Sequence, residues 1–401
     1  MDNAATAVHT STTLTDPSAS RVGSKRLSSV DMLRGLVIIF MTLDHVRDYF
    51  TSVRFDAADL TRTNAALFLT RWITHFCAPT FVLLAGTSAW LAGRRKSRGE
   101  LAGFLLKRGV WLVLVEFTVV GFAWYLNLNF ELGLRAQVIW AIGVSMIALA
   151  GLIYLPRPAI LAIGIAIIAG HNLLDGITPQ DAGSFATVWT MLHVQGAIPA
   201  LHMFTTYPLL PWIGVMALGY LLGPVLEFPA EERRRTLLRV GVALIAGFVL
   251  LRSVNVYGDP ARWSPQPSGI MTVLSFINVT KYPASLEFVL ITLGPALVGL
   301  ALLERVRGRI AEWLRVFGQV PLFYYVVHLY VIHLAAIAGG ALQGYHLGEM
   351  ARIYRQFPSG YGYGLPVIYL VWIGVVVGLY PLCRWFGARK HAGRGWWWSY
   401  L

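Results

Sequence analysis

The chain has 401 residues, of which 56% are hydrophobic and only 13% are charged, and its mean hydropathy is +0.59. A soluble domain usually carries about 25% charged residues, so this composition argues against a set of soluble domains. The net charge of +13 does not indicate nucleic-acid binding, because no basic stripe with interleaved aromatic residues runs along a polar segment.

The apolar residues come in blocks of about 18 to 25 residues, and a block of this length crosses a hydrocarbon core of ~30 Å as a helix. The pattern predicts an all-α, polytopic membrane protein with about ten transmembrane helices. In chain order the predicted spans are about 32–50, 68–92, 104–125, 136–154, 159–174, 209–226, 237–254, 286–303, 320–338 and 366–386. Only Pro156, Arg157 and Pro158 separate the fourth span from the fifth.

Two polar segments flank a single predicted membrane domain, residues 30–390. Residues 1–29 are rich in Ser and Thr and contain no apolar block, which argues against a cleaved signal peptide. We expect them to be a disordered cytoplasmic N-terminus. Residues 391–401 form a Trp-rich tail.

Clusters of basic residues predict the orientation of the chain. They lie in short connections after every second span and at the C-terminus: Arg94, Arg95, Lys96 and Arg98; Arg233, Arg234, Arg235 and Arg239; Arg305, Arg307 and Arg309; Arg384, Arg389, Lys390 and Arg394. Cytoplasmic connections carry an excess of Lys and Arg, so both termini are predicted to be cytoplasmic. The outer connections 253–285 and 339–365 are long and rich in Gly, Pro and aromatic residues, which suits a lid or a vestibule.

The first span carries an unusual number of charged residues for a membrane helix. A charge near the bilayer centre costs ~2.5–3.5 kcal/mol on insertion scales. Arg34 and His45 are 11 residues apart, so they share one helix face and lie ~16 Å apart along the axis. Asp31 lies one turn before Arg34 and can pair with it.

The spacing alone leaves two interpretations of this face open. In one, Arg34 extends to the cytoplasmic headgroups and His45 belongs to an interfacial hydrogen-bond network. In the other, the face lines a path across the membrane, with an anion site at its inner end and proton chemistry at its outer end.

Further polar residues lie in the other spans and in the outer connections. They are Glu116, Glu287, His75, His328, His333, His193 and His202. Each histidine taken singly is more often a hydrogen-bonded structural residue, but their concentration in the outer half indicates a site there. The two cysteines, Cys77 and Cys383, lie towards opposite sides of the membrane and are not expected to pair, and no metal site is predicted. The motifs of nucleotide hydrolases, Rossmann cofactors, zinc proteases and serine esterases are absent.

Several segments carry a family resemblance that extends over nearly the whole chain from about residue 26. They are residues 26–35 (RLSSVDMLRG), 83–88 (LLAGTS), 211–220 (PWIGVMALGY), 278–283 (NVTKYP), 317–333 and the Trp-rich tail. The chain resembles the bacterial members of the heparan-α-glucosaminide N-acetyltransferase catalytic-domain family. The Arg34-to-His45 spacing is also similar to the arrangement in the first span of the wider acyltransferase-3 group.

The resemblance implies a transmembrane acyltransferase of the bacterial cytoplasmic membrane. Such an enzyme moves an acyl group, by default acetyl, from cytoplasmic acyl-CoA to an extracytoplasmic hydroxyl or amino group, on a carbohydrate or a small molecule. Membrane lipid is then a further partner, nucleic acid is not, and the oligomeric state, a homo-oligomer included, stays open. The chain departs from the family pattern in one respect, because Asp56 stands where the family has a functional loop histidine and His45 where it has an asparagine.

Acyl transfer from a thioester needs a group that takes the acceptor proton and a donor that stabilises the oxyanion. The resemblance therefore implies His45 as general base or transient acyl carrier. The candidates to orient His45 or handle protons beside it are Asp44, Asp48, His75 and His328. The phosphates of acetyl-CoA need cations, and the residues predicted to surround them at the inner mouth are Arg34, Asp31, Lys107 and Arg108.

Other classes of function remain open. Intramembrane Asp, His and Arg also suit a proton-coupled transporter, which without the resemblance would rank level with an acyltransferase. The histidines His45, His75, His328 and His333 could serve as axial ligands of a haem. A purely structural membrane protein is the remaining alternative.

Overall fold

The computed structural model describes residues 28–129 and 133–393. The predicted disordered N-terminus up to residue 27 and the Trp-rich tail beyond residue 393 lie outside the described residues.

Helices make up most of the described chain. In order they are α1 (Ser28–Phe50), α2 (Ala65–Trp72), α3 (Cys77–Gly93), α4 (Arg98–Val115), α5 (Gly121–Tyr125), α6 (Val138–Leu152), α7 (Arg157–Gly170), α8 (Ala186–Leu192), α9 (Leu209–Leu222), α10 (Ala230–Val254), α11 (Gly269–Ile277), α12 (Leu286–Leu303), α13 (Arg309–Gln319), α14 (Pro321–Leu342), α15 (Leu347–Met350) and α16 (Leu365–Ala392). A 3₁₀ turn, Ile73–Phe76, joins α2 to α3, and a π-helical turn, Glu116–Val120, joins α4 to α5.

Local sequence sets several of these boundaries. The Ser97 side chain caps α4 by accepting from the Glu100 amide, and the Glu100 side chain accepts from the Ser97 amide. This reciprocal capping box satisfies free amides at the start of the helix. Ser285 caps α12 in the simpler way, by accepting from the Phe288 amide. Pro156 precedes the first residue of α7 and separates it from α6, as predicted from the sequence.

Seven helical segments within the described ranges are long and apolar enough to cross a membrane: Ala65–Gly93, Arg157–Leu174, Leu209–Glu227, Ala230–Val254, Leu286–Leu303, Pro321–Leu342 and Leu365–Lys390. The chain is therefore an integral membrane protein. The other three predicted spans coincide with α1, α4 to α5 and α6. The first two carry more charged residues than an ordinary span, and α6 has only 15 residues, so a total of about ten spans stays a prediction.

The prediction of an all-α chain needs one correction. Three short strands, β1 (Leu134–Ala136), β2 (Gly196–Ile198) and β3 (Met203–Thr205), form a sheet in the order β1-β3-β2. β1 is parallel to β3, and β2 is antiparallel to β3. With three residues each, the strands are too short to show a recognisable alternation in the sequence.

Helix α1 occupies the centre of the bundle, where it packs against α3, α12, α13, α14 and α16. Glycines allow the closest of these approaches. A Cβ on Gly35 would collide with the Leu314 carbonyl, and a Cβ on Gly318 would collide with the Asp31 carbonyl. Small residues are the usual means of bringing membrane helices together. Other facing glycine pairs are Gly86 and Gly219, Gly109 and Gly143, and Gly241 and Gly294.

We expect Gly35→Ala to destabilise the fold by roughly 1–3 kcal/mol, because the added methyl must push α1 away from α13. Thermal unfolding of detergent-purified protein measures the effect as a lower apparent melting temperature. The matched control is Gly103→Ala in α4, where a Cβ meets nothing within 4 Å and Ala is favoured over Gly by about 0.5–1 kcal/mol. Equal melting temperatures for the two variants would contradict the close-packing argument.

The two cysteines are both buried and free. The prediction that Cys77 and Cys383 do not pair is confirmed.

Candidate functional site

A cavity of about 290 Å³ lies beside one face of α1. Arg34 and Met41, two turns apart on α1, both line it. Its polar lining residues are Arg34, Ser88, Arg108, Gln319, Tyr325 and Lys390, and most of the others are apolar, from α3, α4, α6 and α14. Three cations, Arg34, Arg108 and Lys390, thus line the cavity, and the rest of its lining is largely apolar.

Hydrogen bonds to neighbouring helices hold Arg34 in place within the described part of the chain. Its guanidinium donates to Asp31 Oδ1 at 3.0 Å, to the Gly318 carbonyl at 3.1 Å and to Ser88 Oγ at 3.3 Å. The predicted pair with Asp31 is confirmed. Because the side chain is only 14% exposed and lines the cavity, the structure does not support the interpretation in which Arg34 extends to the headgroups.

The cations around the cavity differ in part from those predicted. Arg108 lines it, but the neighbouring Lys107 is exposed and does not. Successive helix residues point about 100° apart, and on α4 it is Arg108 that faces the cavity while Lys107 points away from it. Lys390 of α16 is a further cation in the lining. It was missed because its basic cluster was interpreted only as a signal of membrane orientation.

His45 lies one helical turn beyond Met41, past the end of the cavity. Its ring contacts three other rings, with centroid distances of 5.2 Å to Trp124, 6.1 Å to Tyr325 and 4.9 Å to His328. Tyr325 both lines the cavity and contacts His45. The cavity and the histidine pair therefore adjoin each other across the Tyr325 side chain.

The two histidines form a hydrogen bond of 2.7 Å between His45 Nδ1 and His328 Nε2. On its other side, His328 Nδ1 lies 2.9 Å from the Tyr324 carbonyl. A carbonyl only accepts, so His328 Nδ1 carries a hydrogen, and in the neutral ring Nε2 is then the acceptor. His45 must donate through Nδ1, and this leaves the lone pair on His45 Nε2. The backbone of α14 thereby selects the tautomer in which Nε2 of His45 is basic.

The acidic residues beside His45 bind arginines. Asp44 pairs with Arg47 at 2.8 Å and with Arg71 at 3.2 Å, and Asp48 pairs with Arg47 at 2.6 Å. The hydrogen bond to the His45 ring comes from His328, and Asp44 points to another side of the helix. The two carboxylates and two guanidiniums form a cluster of ion pairs at the outer end of α1. Arg71, an intramembrane charge in its own right, could have been found from the sequence.

The remaining predicted histidines lie elsewhere in the packing. His75, a candidate to orient His45, packs against Phe288 with ring centroids 5.4 Å apart. The histidine that stacks on His45 is His328. His333 lies with Nδ1 2.9 Å from the Ala123 carbonyl and Nε2 3.0 Å from the Met350 carbonyl. His333 therefore ties α14 to α5 and α15.

Both glutamates noted in the sequence bind groups within the fold. Glu287 pairs with Arg252 at 2.9 Å, and both side chains are 2% exposed. Glu116, in the π-helical turn, accepts from the Trp140 amide at 2.8 Å. Neither lines the cavity.

The outer connection after α14 folds over the outer end of α1. The Tyr363 amide donates to the Phe50 carbonyl at 2.7 Å, and Arg54 donates to the carbonyls of Pro358 and Tyr361 at 2.9 and 2.6 Å. Burial, together with the nearby Asp48, raises the pKa of Tyr354 to about 12. This arrangement suits the lid or vestibule predicted for the outer connection 339–365.

A family model described as "Heparan-alpha-glucosaminide N-acetyltransferase, catalytic" matches residues 26–252, more than half of the chain. No curated protein matches the chain. The matched region contains Arg34, His45, Arg71 and Arg108, whereas His328 and Lys390 lie beyond it.

Proposed function

Because the chain belongs to the heparan-α-glucosaminide N-acetyltransferase catalytic-domain family, we propose that it transfers an acetyl group from cytoplasmic acetyl-CoA to a hydroxyl or amino group, on a carbohydrate, at the opposite face of the membrane. The family itself is one of membrane N-acetyltransferases. The observation that carries the proposal is the cavity, which is lined by cations and adjoins the His45–His328 pair.

The cations of the cavity suit the phosphates of the donor. Arg34, Arg108 and Lys390, from α1, α4 and α16, all line it, and Arg and Lys bind phosphate through charge-assisted hydrogen bonds. The volume of about 290 Å³ is at the lower end of the roughly 300–1,000 Å³ of small-molecule pockets. In the proposal it holds the acyl-pantetheine arm, and the nucleotide stays at the mouth.

The apolar part suits the thioester end of the donor. Arg34 and His45 are ~16 Å apart along the helix axis, a span comparable to an extended pantetheine arm. The acetyl group would then arrive beside Tyr325, whose ring contacts His45. Movement of this one side chain would join the cavity to the histidine.

The proposed reaction is a direct transfer. His45 Nε2 takes the proton of the acceptor hydroxyl or amine, whose oxygen or nitrogen bonds to the thioester carbonyl carbon. In the proposal the Tyr325 hydroxyl donates to the resulting oxyanion. The carbon–sulfur bond then breaks, and the imidazolium of His45 returns its proton to the sulfur, which leaves as free coenzyme A. His328 accepts from His45 Nδ1 and holds the ring in position throughout.

The acceptor would enter from the side of the arginine-carboxylate cluster. Asp44, Arg47, Asp48 and Arg71 lie at the outer end of α1, and Tyr354 lies over them in the lid. Charged and aromatic side chains of this kind suit a polar acceptor such as a sugar. We propose that the protein lies in the bacterial cytoplasmic membrane, because it resembles the bacterial members of the family.

The test uses protein reconstituted in sealed vesicles, with acetyl-CoA on the side of Arg34 and glucosamine as the probe acceptor on the other side. We expect release of the free coenzyme A thiol on the donor side and acetylated glucosamine on the acceptor side. A proton-coupled transporter would move solute without any release of thiol. Failure of the purified protein to bind acetyl-CoA saturably at millimolar concentration would contradict the proposal.

A further inference from the structure

A second group of chemically active side chains lies away from the cavity. It consists of His171, Asp175 and His193, whose ligand atoms all lie within 4.8 Å of one another. His171 begins the 3₁₀ turn His171–Leu174 that follows α7, Asp175 is the next residue after that turn, and His193 follows α8. None of the three lines the cavity, so the group is independent of the proposed acetyl transfer.

The two histidines are buried without their usual hydrogen bonds. His171 and His193 are each only 2% exposed. Within the described part of the chain, neither ring nitrogen of His171 nor Nδ1 of His193 has a hydrogen-bond partner, although the Ala284 backbone lies near the His171 ring. Leaving a buried polar group unsatisfied costs about 1–3 kcal/mol. His333, which is also buried, has both nitrogens beside carbonyls, whereas at His171 the Ala284 backbone is near but forms no hydrogen bond of normal geometry.

The carboxylate is already turned towards the histidines. Asp175 Oδ1 lies 3.0 Å from His193 Nε2, while Asn172 Nδ2 donates to Asp175 Oδ2 at 2.9 Å. Burial raises the pKa of Asp175, but the hydrogen bonds from His193 and Asn172 outweigh it and leave the pKa below its ordinary value. Asn172 thus supports the carboxylate from behind, as outer hydrogen bonds do around metal ligands.

We propose that His171, Asp175 and His193 bind one divalent transition-metal ion, with Zn²⁺ the best fit. Two imidazole nitrogens and one carboxylate oxygen are donors that Zn²⁺ takes at about 2.0–2.2 Å, usually with four ligands in a tetrahedron. Ligand atoms at that distance from a tetrahedral ion lie ~3.4 Å from one another. The three ligand atoms now lie within 4.8 Å of one another, so small side-chain rotations would bring them to the ion. Mg²⁺ and Ca²⁺ prefer oxygen ligands throughout. The Asp175 side chain is 21% exposed, which provides entry and room for a water as fourth ligand.

The bound ion would tie together three elements of the outer side. His171 and Asp175 belong to the end of α7, His193 to the end of α8, and Asn172 Oδ1 accepts from the Leu286 amide at 2.9 Å at the start of α12. The ion would therefore stiffen the connection that leads into β2 and β3. Its role is structural, and binding adds to stability in proportion to occupancy.

The test is a titration of untagged, full-length, detergent-purified protein with Co²⁺ after removal of metals by a chelator. We expect visible absorption bands that saturate at one equivalent of Co²⁺, disappear when Zn²⁺ is added, and accompany a Zn²⁺-dependent rise in melting temperature. His171→Gln and His193→Gln should each abolish the bands and the rise. The control His202→Asn, in the same outer connection, should keep both.

Two results would overturn the inference: wild-type protein without these bands at a hundredfold excess of Co²⁺, or bands that persist in both glutamine variants. The wild-type spectrum decides the question even where a variant fails to fold. Acetyl-CoA binding by the same samples reports the fold separately, because the metal ligands do not line the cavity.

Discussion

His45→Gln is expected to lower the rate of acetyl transfer by about 10²–10⁴-fold, the usual contribution of a positioned general base. Glutamine keeps a hydrogen-bonding side chain of similar length but has no basic nitrogen. Acetyl-CoA binding should be unchanged, because His45 lies beyond the cavity that Arg34, Arg108 and Lys390 line. The measurement is the turnover rate in the vesicle assay together with equilibrium binding of acetyl-CoA to the same preparation.

The control is His202→Asn, a change in an exposed histidine of the outer connection, which should leave turnover as in the wild type. Its backbone is left-handed, with φ 44°, a conformation that Asn tolerates well. His328→Gln should give a smaller loss than His45→Gln, since His328 positions the base and does not touch the acceptor. Full activity of His45→Gln would contradict the general-base mechanism, independently of the result for the control.

Arg108→Gln is expected to raise the dissociation constant of acetyl-CoA by about 10- to 100-fold, because a hydrogen bond to a charged group contributes roughly 1.5–3 kcal/mol. The residue is one of the cations that line the cavity. Binding can be measured by titration of detergent-purified protein at constant ionic strength, since phosphate contacts weaken with salt.

The adjacent residue supplies the control for this variant. Lys107→Gln removes the same charge from the same turn of α4, but Lys107 is exposed and does not line the cavity. Its dissociation constant should stay near that of the wild type. An equal loss of affinity in both variants would mean that general electrostatic attraction, and not the cavity, binds the donor. Arg34 is the poorer choice for this test, because it also bonds Gly318 and Ser88.

These two predictions separate the ends of one path. In the proposed function the donor binds to cations from α1, α4 and α16, and the reaction takes place at the histidine pair between α1 and α14. A variant that loses acetyl-CoA binding but keeps turnover at saturating acetyl-CoA affects the donor end. A variant that keeps binding but loses turnover affects the reactive end.

The amino-acid sequence by itself determined the class of protein and the location of its long apolar helices, but not the shorter helices α8, α11, α13 and α15. Long apolar blocks predict membrane helices because a helix satisfies its own backbone in lipid, and each predicted span coincides with a helix. Within α1 the sequence also determined which residues share a face. Asp31 and Arg34 pair, and Arg34 lies on the cavity side that continues towards His45, because helical periodicity relates residues of one helix without any partner.

Only the tertiary structure decided which side chains from different helices meet. His328 contacts His45 across a separation of 283 residues, Arg71 binds the Asp44 carboxylate, and Lys390, not Lys107, lines the cavity. The same holds for the three short strands and for His171, Asp175 and His193, which come from opposite ends of an outer connection. Such contacts depend on how closely and at what rotation the helices pack, which facing glycines such as Gly35 and Gly318 set. No periodicity within a single helix contains that information.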